Sequence, residues 1–104
     1  MVIVLIKTSL RADVDMKEYE ALNTRMVELV QTIPGFVSVK GYRADDGDEV
    51  AIARFENQEA LSTWRNHPEH LETQRKGRER LFQSYDIQVC EVVRAYGSDS
   101  PVRI

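Results

Sequence analysis

The chain is predicted to be a ferredoxin-like α+β domain with a four-stranded antiparallel sheet, in the order β, α, β, β, α, β. Three observations predict it: a β-branched run at the start, an Asp-Gly turn between two strand-like segments, and a helical pattern on each side of that hairpin. The fold would place both helical regions on one face of the sheet.

VIVLIKT, residues 2 to 8, is apolar on both alternating faces, as a central strand covered on each side would be. DVDMKEYEALNTRMVELVQTI then spaces Met16, Tyr19, Leu22, Met26, Leu29, Val30 and Ile33 three or four residues apart, the stripe of an amphipathic helix. Asp15 and Glu18 resemble a capping box at its start, and Pro34-Gly35 stops it. FVSVKGYRA and EVAIARFE flank Asp45-Asp46-Gly47-Asp48, in which Asp-Gly supplies the positive φ angles of a tight hairpin.

Asn57 can accept the free N–H groups of a short helix running through Trp64. Pro68 disfavours helical geometry at His67, so the helix breaks there and Pro68 opens a second one. DIQVCEVVRAY reads as the last strand, and residues 97–104 as a polar tail beyond a single domain over residues 1–96. The sheet face without helices would expose either Phe36, Ser38, Lys40 and Tyr42 or Val37, Val39, Gly41 and Arg43. With the first and last strands apolar on both sides, that face needs a cover, most simply a second copy of the chain.

Composition narrows the function. At 104 residues and 42% hydrophobic the chain suits one core. A net charge of -3 gives no positive field for nucleic acid. No stretch suits a secretory leader or a membrane span, and the lone Cys90 suits a small core residue, so a soluble cytoplasmic protein is expected.

The chemistry concentrates in TWRNHPEHLETQRKGRERLFQSY, residues 63 to 85, which holds the one tryptophan and both histidines. On the second helix His67, Leu71, Gln74, Arg78, Leu81 and Tyr85 fall on a heptad-like stripe, with His70 one turn before Gln74. Polar groups on a buried stripe must be paired or line a cavity. Two readings stand: a structural or interface network, or a ligand pocket rimmed by His67, His70, Gln74 and Arg78. The spacing gives no metal site, no Gly-x-Ser-x-Gly elbow and no phosphate loop. Tyr19, Tyr42 and Tyr85 are candidate proton donors or amphipathic core residues.

PGF at residues 34 to 36, the DDGD hairpin, FENQEALSTWRNHPEH and the ending QRKGRERLFQSYDIQVCEVVR together resemble the antibiotic biosynthesis monooxygenase (ABM) domain of the dimeric α+β barrel superfamily. The resemblance covers about residues 2 to 96. It implies a homodimer whose sheets face each other to close a barrel, and a pocket in each subunit between sheet and helices. The family includes cofactor-free oxygenases that turn anthrone-type phenols into quinones, and haem degraders.

The oxygenase resemblance implies that Trp64 bounds the ring of a small aromatic ligand, with His67 and Tyr85 beside it. His70 or a tyrosine would move the proton, and Arg78 or Gln74 would hold the oxyanion, with no metal or other cofactor. The haem degraders carry a strand-1 asparagine and a histidine about ten residues after the tryptophan; here Lys7 and Gln74 stand nearest those positions. The expectation is a cofactor-independent monooxygenase acting on a phenolic or polycyclic aromatic. The alternatives are a noncatalytic ligand-binding or stress-type dimer and, third, haem degradation.

Overall fold

The computed structural model describes residues 1–99. Its elements are β1 (Val2–Leu10), α1 (Met16–Val30), β2 (Phe36–Arg43), β3 (Glu49–Phe55), α2 (Gln58–Arg65), α3 (Pro68–Lys76), a π-helical turn (Gly77–Leu81) and β4 (Phe82–Glu91). The strands form one antiparallel sheet in the order β2-β3-β1-β4, the ferredoxin-like α+β arrangement with β1 inside it. Residues 100 to 104 of the expected tail lie outside the described residues. No helix among the described residues is long and apolar enough to cross a membrane.

Local signals set the helix ends. Asp15 Oδ1 accepts from the N–H groups of Lys17 and Glu18 at 3.0 and 3.2 Å. The other half of the expected capping box is absent, because the Glu18 carboxylate accepts from Arg80 Nη2 instead, at 2.9 Å. Gly35 has φ +87, and a Cβ there would meet Ala60 Cβ at 2.7 Å; glycine thus permits both the turn and the close approach of α2. In the hairpin only Gly47 takes a positive φ, where the Asp-Gly pattern led us to expect two such residues. Ala44 O accepts from Gly47 N at 3.0 Å, and this turn within the five-residue connection needs a single left-handed position.

The core gathers Val2, Val4, Ala53 and Phe55 from the sheet against Val30, Ala60 and Leu61 from the helices. The paired register puts Val4, Ala53 and Val89 in one row, so this side of the sheet faces the helices. Ile3, Leu5, Ile52 and Cys90 occupy the other side. Cys90 is exposed, which corrects its expected place in the core.

Three further differences have clear causes. A register shift between Phe36 and Ser38 breaks the alternation of β2, so Phe36 pairs on the helical side with Val39 and Gly41, and Ser38, Lys40 and Tyr42 face away. Neither expected set is therefore presented whole. The last strand runs four or five residues earlier than expected at each end, because β1 supplies its pairing: Val2 stands opposite Glu91, and Val93 is 88% exposed beyond it. Its outward residues Ser84, Asp86 and Gln88 are polar, so β4 is apolar on its helical side alone.

Candidate functional site

A cleft of about 970 Å³ opens between the helical side of the sheet and the helices. Its apolar walls include Ile6 on β1, Leu22 and Met26 on α1, and Ile87 and Val89 on β4. The volume suits a small aromatic ligand. The amphipathic stripe of α1 thus divides: Leu29 and Val30 seal the core, whereas Tyr19, Leu22 and Met26 roof the cleft. Two exposed ion pairs tie this roof to the second helical layer, Arg25 to Glu69 at 2.6 Å and Arg80 to Glu18 at 2.9 Å.

Trp64 and His70 meet at the elbow between α2 and α3. The elbow forms because Pro68 cannot continue a helix and His67 caps the next one, its Nδ1 accepting from Glu69 N at 3.2 Å. His67 therefore works at the helix start and is absent from the cleft lining, which corrects its expected place in the rim. The turn brings the His70 imidazole flat against the Trp64 indole, with centroids 3.9 Å apart and 18° between planes.

His70 Nδ1 lies 3.0 Å from the Trp64 carbonyl, which can only accept, so Nδ1 carries the proton. Nε2 keeps a lone pair and has no hydrogen-bond partner among the described residues. Burial holds the imidazole below its usual range, outweighing that carbonyl, and the charge of nearby His67 adds to the lowering. His70 is thus a neutral base at pH 7, fixed in one tautomer.

Gln74 Nε2 donates to the Arg65 carbonyl at 3.2 Å, bracing α2 against α3. It approaches His70 Nδ1 at 3.4 Å, and two donors make no hydrogen bond there. Arg78 sits on the π-helical turn, exposed, lining the cleft and without a side-chain partner among the described residues. Its backbone is held firmly: Arg11 donates from Nη2 to the Arg78 carbonyl at 3.0 Å and from Nε to the Phe82 carbonyl at 3.1 Å. Gly77 opens that turn, and a Cβ there would meet the Phe82 ring at 2.7 Å.

The cleft therefore unites Trp64, His70, Gln74, Arg78 and Tyr85. The continuous stripe from residue 67 to 85 does not exist, since α3 ends at Lys76 and Leu71 is 46% exposed. The inward phase runs through His70, Thr73, Gln74 and Gly77, one residue away from Leu71. Small Thr73 and Gly77 at i+3 and i+7 from His70 were the available signal. Arg65 and Asn23 also line the cleft and escaped the sequence reading. Tyr19 lines it too; burial, then the charge of Glu49, pushes its phenol up and keeps it protonated.

Haem does not suit these residues. Lys7 alternates onto the outer side of the sheet, where it pairs with Asp48 at 2.9 Å, and the residue ten beyond Trp64 is an amide engaged with Arg65.

Comparisons with known proteins agree on the architecture. The sequence profile of the family described as antibiotic biosynthesis monooxygenase matches residues 1–76. The uncharacterized protein YqjZ of Bacillus subtilis (strain 168) is 36% identical over 70 residues, 67% of this chain and 61% of that protein. The match thus spans less than two thirds of the length of that curated relative. Rv0793 from Mycobacterium tuberculosis is similar in structure, with a TM-score of 0.78 and 23% identity over 92% of this chain and 98% of that one. SnoaB, a cofactor-independent oxygenase from Streptomyces nogalater, has a TM-score of 0.73 and 19% identity over 90% of this chain and 94% of its own.

Proposed function

The chain belongs to the antibiotic biosynthesis monooxygenase family, and from that premise we propose that it oxidises a small phenolic or polycyclic aromatic with dioxygen, without metal or flavin. The observation that carries this reading is the Trp64–His70 stack in an apolar cleft, with a fixed tautomer that leaves Nε2 unprotonated. A flat ring lies against Trp64, with Tyr85 at its edge, and His70 Nε2 removes a proton from an acidic ring methylene. Arg78 stabilises the oxyanion that forms, and Gln74 holds the elbow that aims His70.

The electron balance is simple. The anion gives one electron to dioxygen, the radical pair joins as a C–O bond, and the peroxide takes the proton back from His70. Loss of water leaves a carbonyl, so one methylene and one dioxygen yield one carbonyl and one water. The test is oxygen uptake by purified protein with an anthrone probe: one equivalent of oxygen per quinone, abolished in His70→Ala, supports the reading. Failure to consume oxygen with any of several phenolic probes would favour a noncatalytic ligand-binding or stress-type dimer.

The unit proposed to do this is the domain over residues 1–96, with 97–104 as an appended tail, working in the cytoplasm as a homodimer. The outer side of the sheet supports the dimer, for half-buried Ile3, Leu5, Val50 and Ile52 share it with no helix over them. Sedimentation at micromolar concentration is expected to give twice the 12.0 kDa chain mass. A stable monomer there would overturn the pairing.

A further inference from the structure

The charge lining the cleft differs in sign from the charge of the chain. The whole sequence carries 14 basic and 17 acidic residues. The cleft lining has three basic residues, Arg43, Arg65 and Arg78, against one acid, Glu49, while the Lys40 side chain faces away. Glu49 is already engaged by Arg43, and Lys40 Nζ lies over the Tyr42 ring at 5.6 Å. That leaves two guanidinium groups, Arg65 and Arg78, which enter no ion pair or side-chain hydrogen bond among the described residues.

Outside the cleft Arg54 and Arg94 are likewise unpaired among the described residues, whereas the other described arginines are engaged. Arg25, Arg43, Arg75 and Arg80 each meet a carboxylate, and Arg11 is spent on two carbonyls. Arg65 and Arg78 also have their backbones fixed while their side chains stay free: Gln74 holds the Arg65 carbonyl, and Arg11 holds that of Arg78. Two anchored, unspent cations beside an aromatic stack suit a ligand that brings negative charge with its ring. Arg78 is taken by the oxyanion that the reaction creates, so Arg65 has no role in that chemistry.

We infer that the preferred ligand is a flat aromatic acid, its ring on Trp64 and its permanent carboxylate read by Arg65. This rests on the aromatic-binding reading above and adds the charge of the substrate class. Arg65 is adjacent to Trp64 at the C-terminal end of α2, so ring and carboxylate are received by neighbouring residues. The carboxylate orients the ring, because a planar guanidinium grips it through two hydrogen bonds where a neutral group offers one acceptor at most.

Trp64 is the single tryptophan, so its fluorescence reports occupancy directly and needs no knowledge of the natural substrate. The probes are anthracene-9-carboxylate and the neutral 9-hydroxymethylanthracene, titrated into the full chain at pH 7.5. The acid is expected to bind about tenfold more tightly, the increment of one charge-assisted contact at a solvent-accessible site. Arg65→Gln should abolish that preference and leave the neutral probe's affinity unchanged. Arg94→Gln, which removes the same charge outside the cleft, should leave it intact. Equal binding of the two probes, or a preference that survives Arg65→Gln, overturns the inference and spares the aromatic cleft. Equal loss in both variants assigns the preference to net charge and overturns it too. Binding of neither probe overturns the aromatic reading itself, and this inference with it.

Discussion

Val4 and Val89 stand opposite each other in the ladder between β1 and β4, on the same side of the same sheet, yet Val4 is 5% exposed and Val89 46%. The next apolar residue on the β4 row, Ile87, is 55% exposed. Residue type is alike, so the difference comes from position: β1 is paired on both sides under the helices, whereas β4 is an edge strand with less above it. Over β1 and β3 the helices descend to contact, with Val30, Ala60 and Leu61 closing on Phe55. Over β4 they stand off and leave the cleft. An apolar strand face is thus a core or a binding wall according to the helix above it.

The sharpest way to break this comparison is to remove bulk on each side. Phe55→Ala, at 1% exposure and edge-on to Phe36 at 5.7 Å, is expected to cost about 3–5 kcal/mol in chemical denaturation. Ile87→Ala should cost less than about 1 kcal/mol by the same measurement. Equal costs would mean that the β4 row is covered in solution.

The arginine above that open wall gives the next effect. Arg78→Leu should leave the melting temperature nearly unchanged, since the residue is exposed and no buried partner is stranded. Anthrone turnover should fall on the order of a hundredfold, as with loss of an oxyanion donor. A large drop in melting temperature with turnover retained would make Arg78 structural.

A smaller effect is expected where the two regions join. Gly77→Ala keeps an allowed backbone, φ -57, but drives a methyl against Phe82, and should cost about 1–3 kcal/mol. No loss would mean that the ring swings freely into the cleft.

The smallest effect is a pH dependence. The folded state holds His70 below the ordinary imidazole value of 6.5, so on acidification the unfolded chain takes up this proton first. The contribution of His70 to stability is therefore full above pH 6.5 and is lost as pH falls below it. Denaturation midpoints compared with those of His70→Gln should diverge only in that acidic window. A difference that grows with rising pH would contradict the neutral buried imidazole.

Much of the fold was legible because its signals are local. Asn57 caps α2 through Ala60 N at 2.8 Å, and His67-Pro68 breaks the helices where the dipeptide alone requires it. The misses are tertiary. The π-helical turn depends on Arg11, some seventy residues away in sequence, and on the fit of Phe82 against Gly77. The phase of α3 was misread because Leu71 suggests a buried position, while the inward face carries Thr73 and Gly77. The site was legible as a cluster of residue types around Trp64, but the hydrogen bonds that fix the His70 tautomer appear only once the elbow is folded.

The bulge in β2 has a consequence beyond register. β2 is an edge of the sheet, and a regular edge strand offers a row of unsatisfied amides onto which a foreign strand can polymerise. The shift between Phe36 and Ser38 interrupts that row and adds local twist, just where Val37 lies 44% exposed. The misfit that spoiled the simple alternation of β2 thus guards the chain against cross-β aggregation along this edge.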